Sequence, residues 1–185
     1  MVRWCMKSFM CASDFLRFIS CQDIYSRRCT VDHFPSPSRE HIVPKRWLPT
    51  KEAIVNPYNI FICTSLVNSR RGSLRFADEN QLNNNATKHI KMDGYTGIVV
   101  DRDDDENTCI IIPKTAFIPP PHARGPIART CMYMLDQYPI IPGNIISTSL
   151  MHQWHEEHPV TDWEMERQRR IIHYFPTVSK NPYVR

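Results

Sequence analysis

An acidic residue and a histidine stand side by side in the segment SREHIVP, residues 38–44, as Glu40 and His41. Neighbouring side chains on an extended strand point to opposite faces, so a strand here would place a carboxylate and an imidazole on opposite sides of one chain segment. Asn68 follows far enough along the chain for two short strands and the start of a helix to lie between. These three residues are the candidates for chemistry.

Their side chains suit the hydrolysis of a phosphodiester. Glu40 and Asn68 offer the oxygen ligands that Mg²⁺ and similar cations prefer. His41 offers a base with an ordinary pKa of about 6.5. In-line displacement at phosphorus needs the cation and the attacking water on opposite sides of the phosphate. The pattern is short, so an incidental Glu-His pair remains the alternative at this point.

Strands and a helix are both needed to position Glu40, His41 and Asn68. The sequence predicts an α+β fold, with strands early in the chain and helices late. Pro44 ends the first strand because proline donates no ladder hydrogen bond. Around the candidate residues we expect a strand within 31–42, a helical turn at 50–55, a buried strand at 59–64 and a helix that Ser65 caps and that ends near Gly72.

Beyond this region the periodicity predicts further elements, and Thr161 with Glu164 has the spacing of a capping box. Pro126 suits a first helical position, since its missing N–H would need no partner there. We expect a short helix at 13–22, an exposed stretch at 79–95, a β-hairpin of TGIVVD and CIIIP around the acidic turn DRDDDEN, and helices from Pro126, at about 145–156 and from Thr161 to about Tyr174.

Composition restricts the class of protein but does not identify its function. The 185 residues suit one domain with a sizeable core, and 23% of them are charged. The net charge of +4 is compatible with a polyanionic partner but does not identify one. No apolar run reaches the roughly 20 residues of a membrane-spanning helix. The seven cysteines are an odd number without a CxxC spacing, which favours free or buried thiols.

Five segments, taken in order, resemble the sequence blocks of the endonuclease I family, the bacterial periplasmic and secreted nucleases with a ββα-metal (His-Me) finger. They cover roughly residues 38–184, and the third and fourth are long uninterrupted matches. The segments are SREHIVP, NPYNI…LVNSRRGSLRF, ARGPIARTCMYMLDQY, HPVTDWEMERQRRI and KNPYV.

The resemblance implies roles for individual residues. His41 matches the general base of the family, and Glu40 and Asn68 match its metal ligands. It further implies a nuclease that uses Mg²⁺, or another divalent cation such as Mn²⁺ or Ca²⁺. Such a nuclease cleaves DNA, with RNA as the second candidate substrate, with little sequence preference and leaves 5′-phosphate ends. We expect a monomer and no membrane partner.

The same resemblance suggests one nuclease domain over 1–185, with a variable segment at 1–37, the ββα-metal finger at 38–76 and a helical part at 124–184. Lys7, Asp14 and Arg17 interrupt the apolar run that a signal peptide would need. We therefore expect an intracellular or virus-encoded protein, with secretion as the alternative.

Several arginines are candidates for contact with substrate phosphate. Arg46 is a candidate from its position, Arg124 from its place near the start of a helix, and Arg71 either contacts phosphate or braces the finger. Arg129 is expected in a buried structural pair. The histidines outside the Glu-His pair are expected on the surface or in packing: His33, His122, His152, His155 and His158.

Departures from the family pattern leave a second function open. Tyr58 stands where the family usually has histidine, and Ser73 where it has a second asparagine, while Asn59 is expected to support the finger. A catalytically weakened member that only binds nucleic acid is the alternative. A zinc-stabilised structural module is a third possibility, but glutamate and asparagine are poor zinc ligands and the cysteines lack finger spacing.

Overall fold

The computed structural model of the protein describes residues 22–27, 37–81, 89–101 and 106–185. The expected helix at 13–22 lies outside these residues except for Gln22, as do the centre of the acidic turn, His33 and four of the cysteines. The described part contains both helices and sheets, so the predicted α+β class is confirmed. None of its helices is both long and apolar enough to cross a membrane.

The candidate residues lie in a ββα unit. Strand β1 (Pro37–His41) pairs antiparallel with β2 (Ile60–Thr64), helix α1 (Lys51–Val55) lies in the connection, and α2 (Ser65–Arg71) follows β2 directly. We call residues 37–71 the finger. All five residues of β2 are buried, as expected for the apolar run IFICT.

Local signals set the ends of the two helices of the finger. The Thr50 hydroxyl accepts a hydrogen bond from the Ala53 N–H and so caps α1. Gly72 ends α2 with a φ of +53°, a conformation that glycine adopts without a Cβ clash. The predicted positions of β1, α1, β2 and α2 are confirmed, although Ser65 is the first helical residue rather than the cap.

A second sheet has four strands in the order β3–β6–β5–β4, and only β3 and β6 are parallel. The strands are β3 (Arg75–Phe76), β4 (Ile90–Asp93), β5 (Thr108–Ile112) and β6 (Ala116–Ile118). The expected hairpin of TGIVVD with CIIIP is therefore wrong, because the partner of β5 on that side is β4.

The reason for that error is a tight turn at Asp93. The Asp93 carboxylate accepts hydrogen bonds from the N–H groups of Tyr95 and Thr96, and Gly97 has a φ of +71°. The chain turns back after β4, and within the described residues TGIVVD contributes only an isolated bridge from Val99 to Met92. Part of the stretch expected to be exposed at 79–95 is consequently a strand.

Three further helices follow the second sheet: α3 (Pro121–Gln137), α4 (Thr148–Glu157) and α5 (Asp162–Tyr174). The predicted start of α3 at Pro126 is wrong, because Pro121 occupies the first helical position and Pro126 lies inside the helix. The missing N–H of Pro126 removes one hydrogen bond close to the helix start, where few are formed. The capping box of Thr161 and Glu164 is confirmed.

The main core lies where the finger, the second sheet and α3 to α5 meet. Trp154 on α4 and Tyr133 on α3 are buried there, while Trp163 is half-buried against Phe61. One long-range contact ties α5 to the finger: the buried Arg167 guanidinium donates hydrogen bonds to the carbonyl oxygens of residues 57, 58 and 60. The finger is thus packed into the domain rather than projecting from it.

Candidate active site

His41 lies at the end of β1 and is held by the helix that follows. Its Nε2 lies 3.0 Å from the carbonyl oxygen of Ile54 on α1. A carbonyl oxygen can only accept a hydrogen bond, so Nε2 carries the proton and Nδ1 keeps its lone pair. This tautomer leaves Nδ1 as the atom able to take a proton from a substrate or from water.

Burial keeps the imidazole neutral. Desolvation lowers the pKa of His41 from its ordinary value of 6.5 to about 4, and the nearby charge of Lys45 acts in the same direction. The hydrogen bond to Ile54 opposes the shift. At neutral pH His41 is therefore a neutral imidazole that can accept a proton, which the sequence alone, with an ordinary imidazole pKa, did not predict.

Asn59 fixes the chain that leaves His41. Its Oδ1 accepts a hydrogen bond of 2.8 Å from the Val43 N–H, and its Nδ2 donates one of 3.0 Å to the Val43 carbonyl oxygen. Both partners are buried, so these bonds work in a water-excluded setting. The expectation that Asn59 supports the finger is confirmed.

Glu40 points to the opposite side of β1 from the exposed Arg39 and is fully buried. Its Oε1 accepts a hydrogen bond of 2.9 Å from the Tyr25 hydroxyl and forms an ion pair with Arg71. Its Oε2 is buried and has no hydrogen-bond partner among the described residues. Oε1 thus accepts hydrogen bonds from two donors, whereas Oε2 accepts none from the described residues.

The electrostatic setting of Glu40 favours a nearby cation. Burial raises the pKa of the Glu40 carboxyl, while Arg71 and the Tyr25 hydroxyl oppose that rise. A buried carboxylate with an orphan oxygen lacks part of the solvation that it had in water. A divalent cation at Oε2 would restore that solvation.

Arg71 occupies the centre of the finger. Its guanidinium binds Glu40, donates hydrogen bonds of 2.7 Å each to the carbonyl oxygens of His41 and Ile42, and lies 4.3 Å from the ring centre of Phe76. Only 1% of the residue is exposed. This is the geometry of the brace, one of the two roles that the sequence suggested for Arg71.

Asn68 on α2 lies against β1. Its Nδ2 donates hydrogen bonds of 2.8 Å to the Ser38 Oγ and 3.1 Å to the Arg39 carbonyl oxygen. These two bonds use the amide donor, and no hydrogen bond to Oδ1 is present among the described residues. The helix therefore places an amide oxygen beside the strand that carries Glu40.

The residues present fit a hard divalent cation. The orphan Oε2 of Glu40 and the Oδ1 of Asn68 are both oxygen atoms, and they belong to adjoining elements of the finger. Within the described ranges no cluster of three or more His, Cys, Asp or Glu side chains is placed to hold a metal. A site with two protein ligands suits Mg²⁺, which usually keeps several waters and completes its shell with substrate phosphate.

The other predicted arginines lie in different settings. Arg46 is exposed, contacts the Trp47 ring and donates a hydrogen bond of 3.0 Å to the Ser73 Oγ. Arg124 is paired with Glu79 and lies 3.5 Å from Asp78, so acidic partners already engage its guanidinium. Arg46 remains the more accessible of the two for a phosphate.

Two features of the site were missed by the sequence reasoning. Tyr25 reaches Glu40 from the segment that was expected to be variable, and no local sequence signal indicates that contact. Lys45 and Arg39 are exposed cations whose charges act on the His41 imidazole. The signal for these cations was visible, since basic residues flank the Glu-His pair on both sides.

The departures at Tyr58 and Ser73 are accommodated by local contacts. The buried Tyr58 hydroxyl donates a hydrogen bond of 3.1 Å to Gln168, and its ring lies 4.6 Å from that of Tyr133. Ser73 accepts the hydrogen bond from Arg46. Tyr58 thus packs between the finger and the helices.

In a comparison with known protein families, the chain matches the family model described as Endonuclease I. It covers residues 9–185, which is nearly the whole chain. The match includes every residue of the finger and all three later helices. The resemblance noted in the sequence blocks is confirmed.

Proposed function

Because this chain belongs to the Endonuclease I family, a family of nonspecific nucleases with a ββα-metal fold, we propose that it is a divalent-metal-dependent endonuclease. It hydrolyses phosphodiester bonds of DNA, with RNA as the second candidate substrate, shows little sequence preference and leaves 5′-phosphate products. The observation that carries the proposal is the state of His41: a neutral imidazole whose Nε2–H is bound to the Ile54 carbonyl oxygen, so that Nδ1 is the nitrogen without a proton.

In the proposed reaction His41 is the general base. Its Nδ1 accepts a proton from a water molecule as that water attacks phosphorus, and the resulting positive imidazolium keeps its Nε2–H bond to the Ile54 carbonyl oxygen. That carbonyl favours the charged form, because a hydrogen bond from the positive ring is stronger than one from the neutral ring. General-base assistance of this kind contributes about 10²- to 10⁴-fold to a rate.

Glu40 and Asn68 are the residues proposed to hold the cation. When bound, a divalent cation neutralises developing charge on the phosphate and the leaving oxygen. Arg71 and Tyr25 hold the Glu40 carboxylate from its other oxygen. Preference among Mg²⁺, Mn²⁺ and Ca²⁺ is left to measurement.

Exposed cations beside the site provide contacts to the substrate backbone. Arg39, Lys45 and Arg46 are all exposed and lie on or directly after β1. Contacts to phosphates position a nucleic acid without reading its sequence. This arrangement supports nonspecific cleavage rather than recognition of one site.

The test compares the parent with His41→Ala on supercoiled plasmid, with Mg²⁺, Mn²⁺ or Ca²⁺ and with EDTA. His152→Ala is the matched control, because His152 is an exposed imidazole on α4. We expect H41A to lose at least about 10²-fold in turnover at unchanged DNA affinity, and H152A to match the parent. Product ends are checked by ligation, which requires a 5′-phosphate.

Two results would contradict the proposal. Cleavage by H41A at the parental rate would remove His41 as the base. A parent that binds DNA but does not cut it with any of the three cations would favour the alternative, a weakened family member that binds nucleic acid.

A further inference from the structure

Tyr25 contacts the proposed metal ligand from outside the finger. Its hydroxyl donates a hydrogen bond of 2.9 Å to Oε1 of Glu40, and the tyrosine is fully buried. Arg71 binds the same oxygen. Both partners of the carboxylate are therefore on Oε1, and Oε2 is left without one among the described residues.

We propose that Tyr25 is a positioning residue for Glu40: with Arg71 it fixes Oε1, and so leaves Oε2 as the oxygen available to a divalent cation. The inference rests on the proposed function, because it takes Glu40 to be a metal ligand. It assigns a role to a segment, residues 22–27, that precedes the finger in the chain.

Contacts with neighbouring residues fix the position of Tyr25. The Ile24 N–H donates a hydrogen bond of 2.9 Å to the Ile62 carbonyl oxygen, which fixes the segment against β2. The Asp23 carboxylate accepts a hydrogen bond of 2.7 Å from the Tyr25 N–H and shapes the turn. The Tyr25 ring packs 5.2 Å from that of Phe117 on β6. The hydroxyl therefore has a fixed position relative to Glu40.

Gly94 provides independent support for this close packing. A Cβ on Gly94 would lie 2.5 Å from the Tyr25 carbonyl oxygen and 2.5 Å from that of Asn107. Only glycine leaves room for the Tyr25 backbone at this point. The second sheet thus fits closely around the segment that carries the tyrosine.

Hydrogen bonds to one oxygen of a carboxylate also restrict the orientation of its other oxygen. With two donors on Oε1 the carboxylate plane is restrained, and a cation at Oε2 finds a ligand already oriented. Without the hydroxyl, Arg71 alone holds Oε1 and the carboxylate can rotate about that contact. Metal binding must then order a side chain that the parent already has in place.

The test is the variant Tyr25→Phe, which removes the hydroxyl and retains the ring packed on Phe117. Mn²⁺ affinity is measured by electron paramagnetic resonance of the free ion, without DNA. We expect Mn²⁺ binding to weaken about tenfold. In a plasmid assay, Y25F should need a correspondingly higher Mg²⁺ concentration for half-maximal cleavage and should approach the parental rate at saturating Mg²⁺.

Tyr133→Phe is the matched control. Tyr133 is also a buried tyrosine, and its hydroxyl donates a hydrogen bond to the Ser179 carbonyl oxygen. Its ring packs on Tyr58 of the finger, but in the described part of the chain it has no hydrogen bond to Glu40 or Asn68. Y133F should bind Mn²⁺ as the parent does. Circular dichroism and thermal melting of both variants report any general loss of structure.

The outcomes separate the inference from the function on which it rests. Y25F with parental Mn²⁺ affinity and parental Mg²⁺ dependence would overturn the inference alone, as would equal weakening in Y25F and Y133F. A parent that binds no Mn²⁺ and cleaves without added cations would overturn the proposed metal site, and the inference with it. Weakening in Y25F only, with a folded protein, supports the positioning role.

Discussion

Two buried arginine–glutamate pairs lie in different parts of this molecule, Arg71–Glu40 in the finger and Arg129–Glu164 between α3 and α5. In each pair both side chains are at most 5% exposed. The second pair is bidentate: Arg129 donates from Nε to Oε1 at 2.7 Å and from Nη2 to Oε2 at 2.8 Å. In the first pair the Glu40 contacts are all to Oε1.

The difference lies in the second oxygen. Oε2 of Glu164 also accepts from the Thr161 N–H in the capping box, so both oxygens of that carboxylate are satisfied. Oε2 of Glu40 is buried without a partner in the described part of the chain. A fully satisfied buried pair has no capacity for a ligand, whereas a half-satisfied one retains it. Burial and charge alone would not have distinguished the Arg71–Glu40 pair from the Arg129–Glu164 pair.

The largest expected effect tests this difference through catalysis. Glu40→Gln should lower Mg²⁺-dependent cleavage by at least about 10²-fold, because the proposed site loses its only charged ligand, while Gln can still accept hydrogen bonds from Tyr25 and Arg71. Glu164→Gln should leave the rate per folded molecule and its Mg²⁺ dependence unchanged. Equal losses of cleavage in folded E40Q and folded E164Q would refute the distinction.

The same pair of variants gives the next largest effect, on stability. Glu164→Gln should lower the free energy of unfolding by about 3–5 kcal/mol, because Arg129 then keeps a buried charge without its carboxylate. Urea denaturation measures this change. Mn²⁺ should raise the melting temperature of E164Q, as it does for any folded state that binds the ion, and should not raise that of E40Q. A stable E164Q would indicate that Arg129 finds another partner.

Asp23 extends the comparison to a buried carboxylate with no ion pair among the described residues. Burial raises its pKa from 3.8 to about 7, against the backbone hydrogen bonds from Tyr25 and Ser26. Between these two pH values the folded state binds more protons than the unfolded state, so this group makes stability fall as pH rises.

Asp23→Asn tests that assignment, since the amide mimics the protonated acid. Relative to the parent, D23N should gain stability between about pH 4 and pH 7, by an amount on the order of a few kcal/mol. Denaturation curves at pH 4.5 and pH 8 measure the difference. A stability difference that does not change with pH would show that Asp23 ionises normally.

The smallest expected effect concerns exposed charges. Arg39→Ala should weaken DNA binding modestly and lower the slope of log affinity against log salt concentration by about 1, because one phosphate contact is lost. Arg169→Ala is the control, since Arg169 is exposed on α5 and pairs with Glu166. Equal salt slopes for the parent, R39A and R169A would remove Arg39 from the proposed contacts.

Local patterns in the sequence predicted the finger and the capping box correctly. The apolar run IFICT, Gly72 after α2 and the Thr161–Glu164 spacing each act over a few residues. The error in the hairpin came from a local turn that the sequence reasoning overlooked. The pairing of β4 with β5 competes with a nearer candidate, and the Asp93 turn decides between them.

In the candidate site, residue type and family pattern were informative, whereas burial and contacts between distant residues could not be predicted. The sequence identified Glu40, His41 and Asn68 by residue type and family pattern, and the structure brings them onto adjoining elements. The low pKa of His41 follows from burial, which depends on the whole fold. The Tyr25 contact to Glu40 follows from how residues 22–27 pack against β2, and that packing has no local sequence signal.

The Arg167 contact has a consequence for how the molecule is made. Arg167 is 110 residues from Pro57 in the sequence, yet its guanidinium holds three carbonyl oxygens of the turn that leads into β2. Closing so long a loop is slow relative to forming local structure. The turn can therefore complete these three contacts only after α5 has been synthesised. A nascent chain that lacks α5 also lacks the hydrogen bonds that hold this part of the finger.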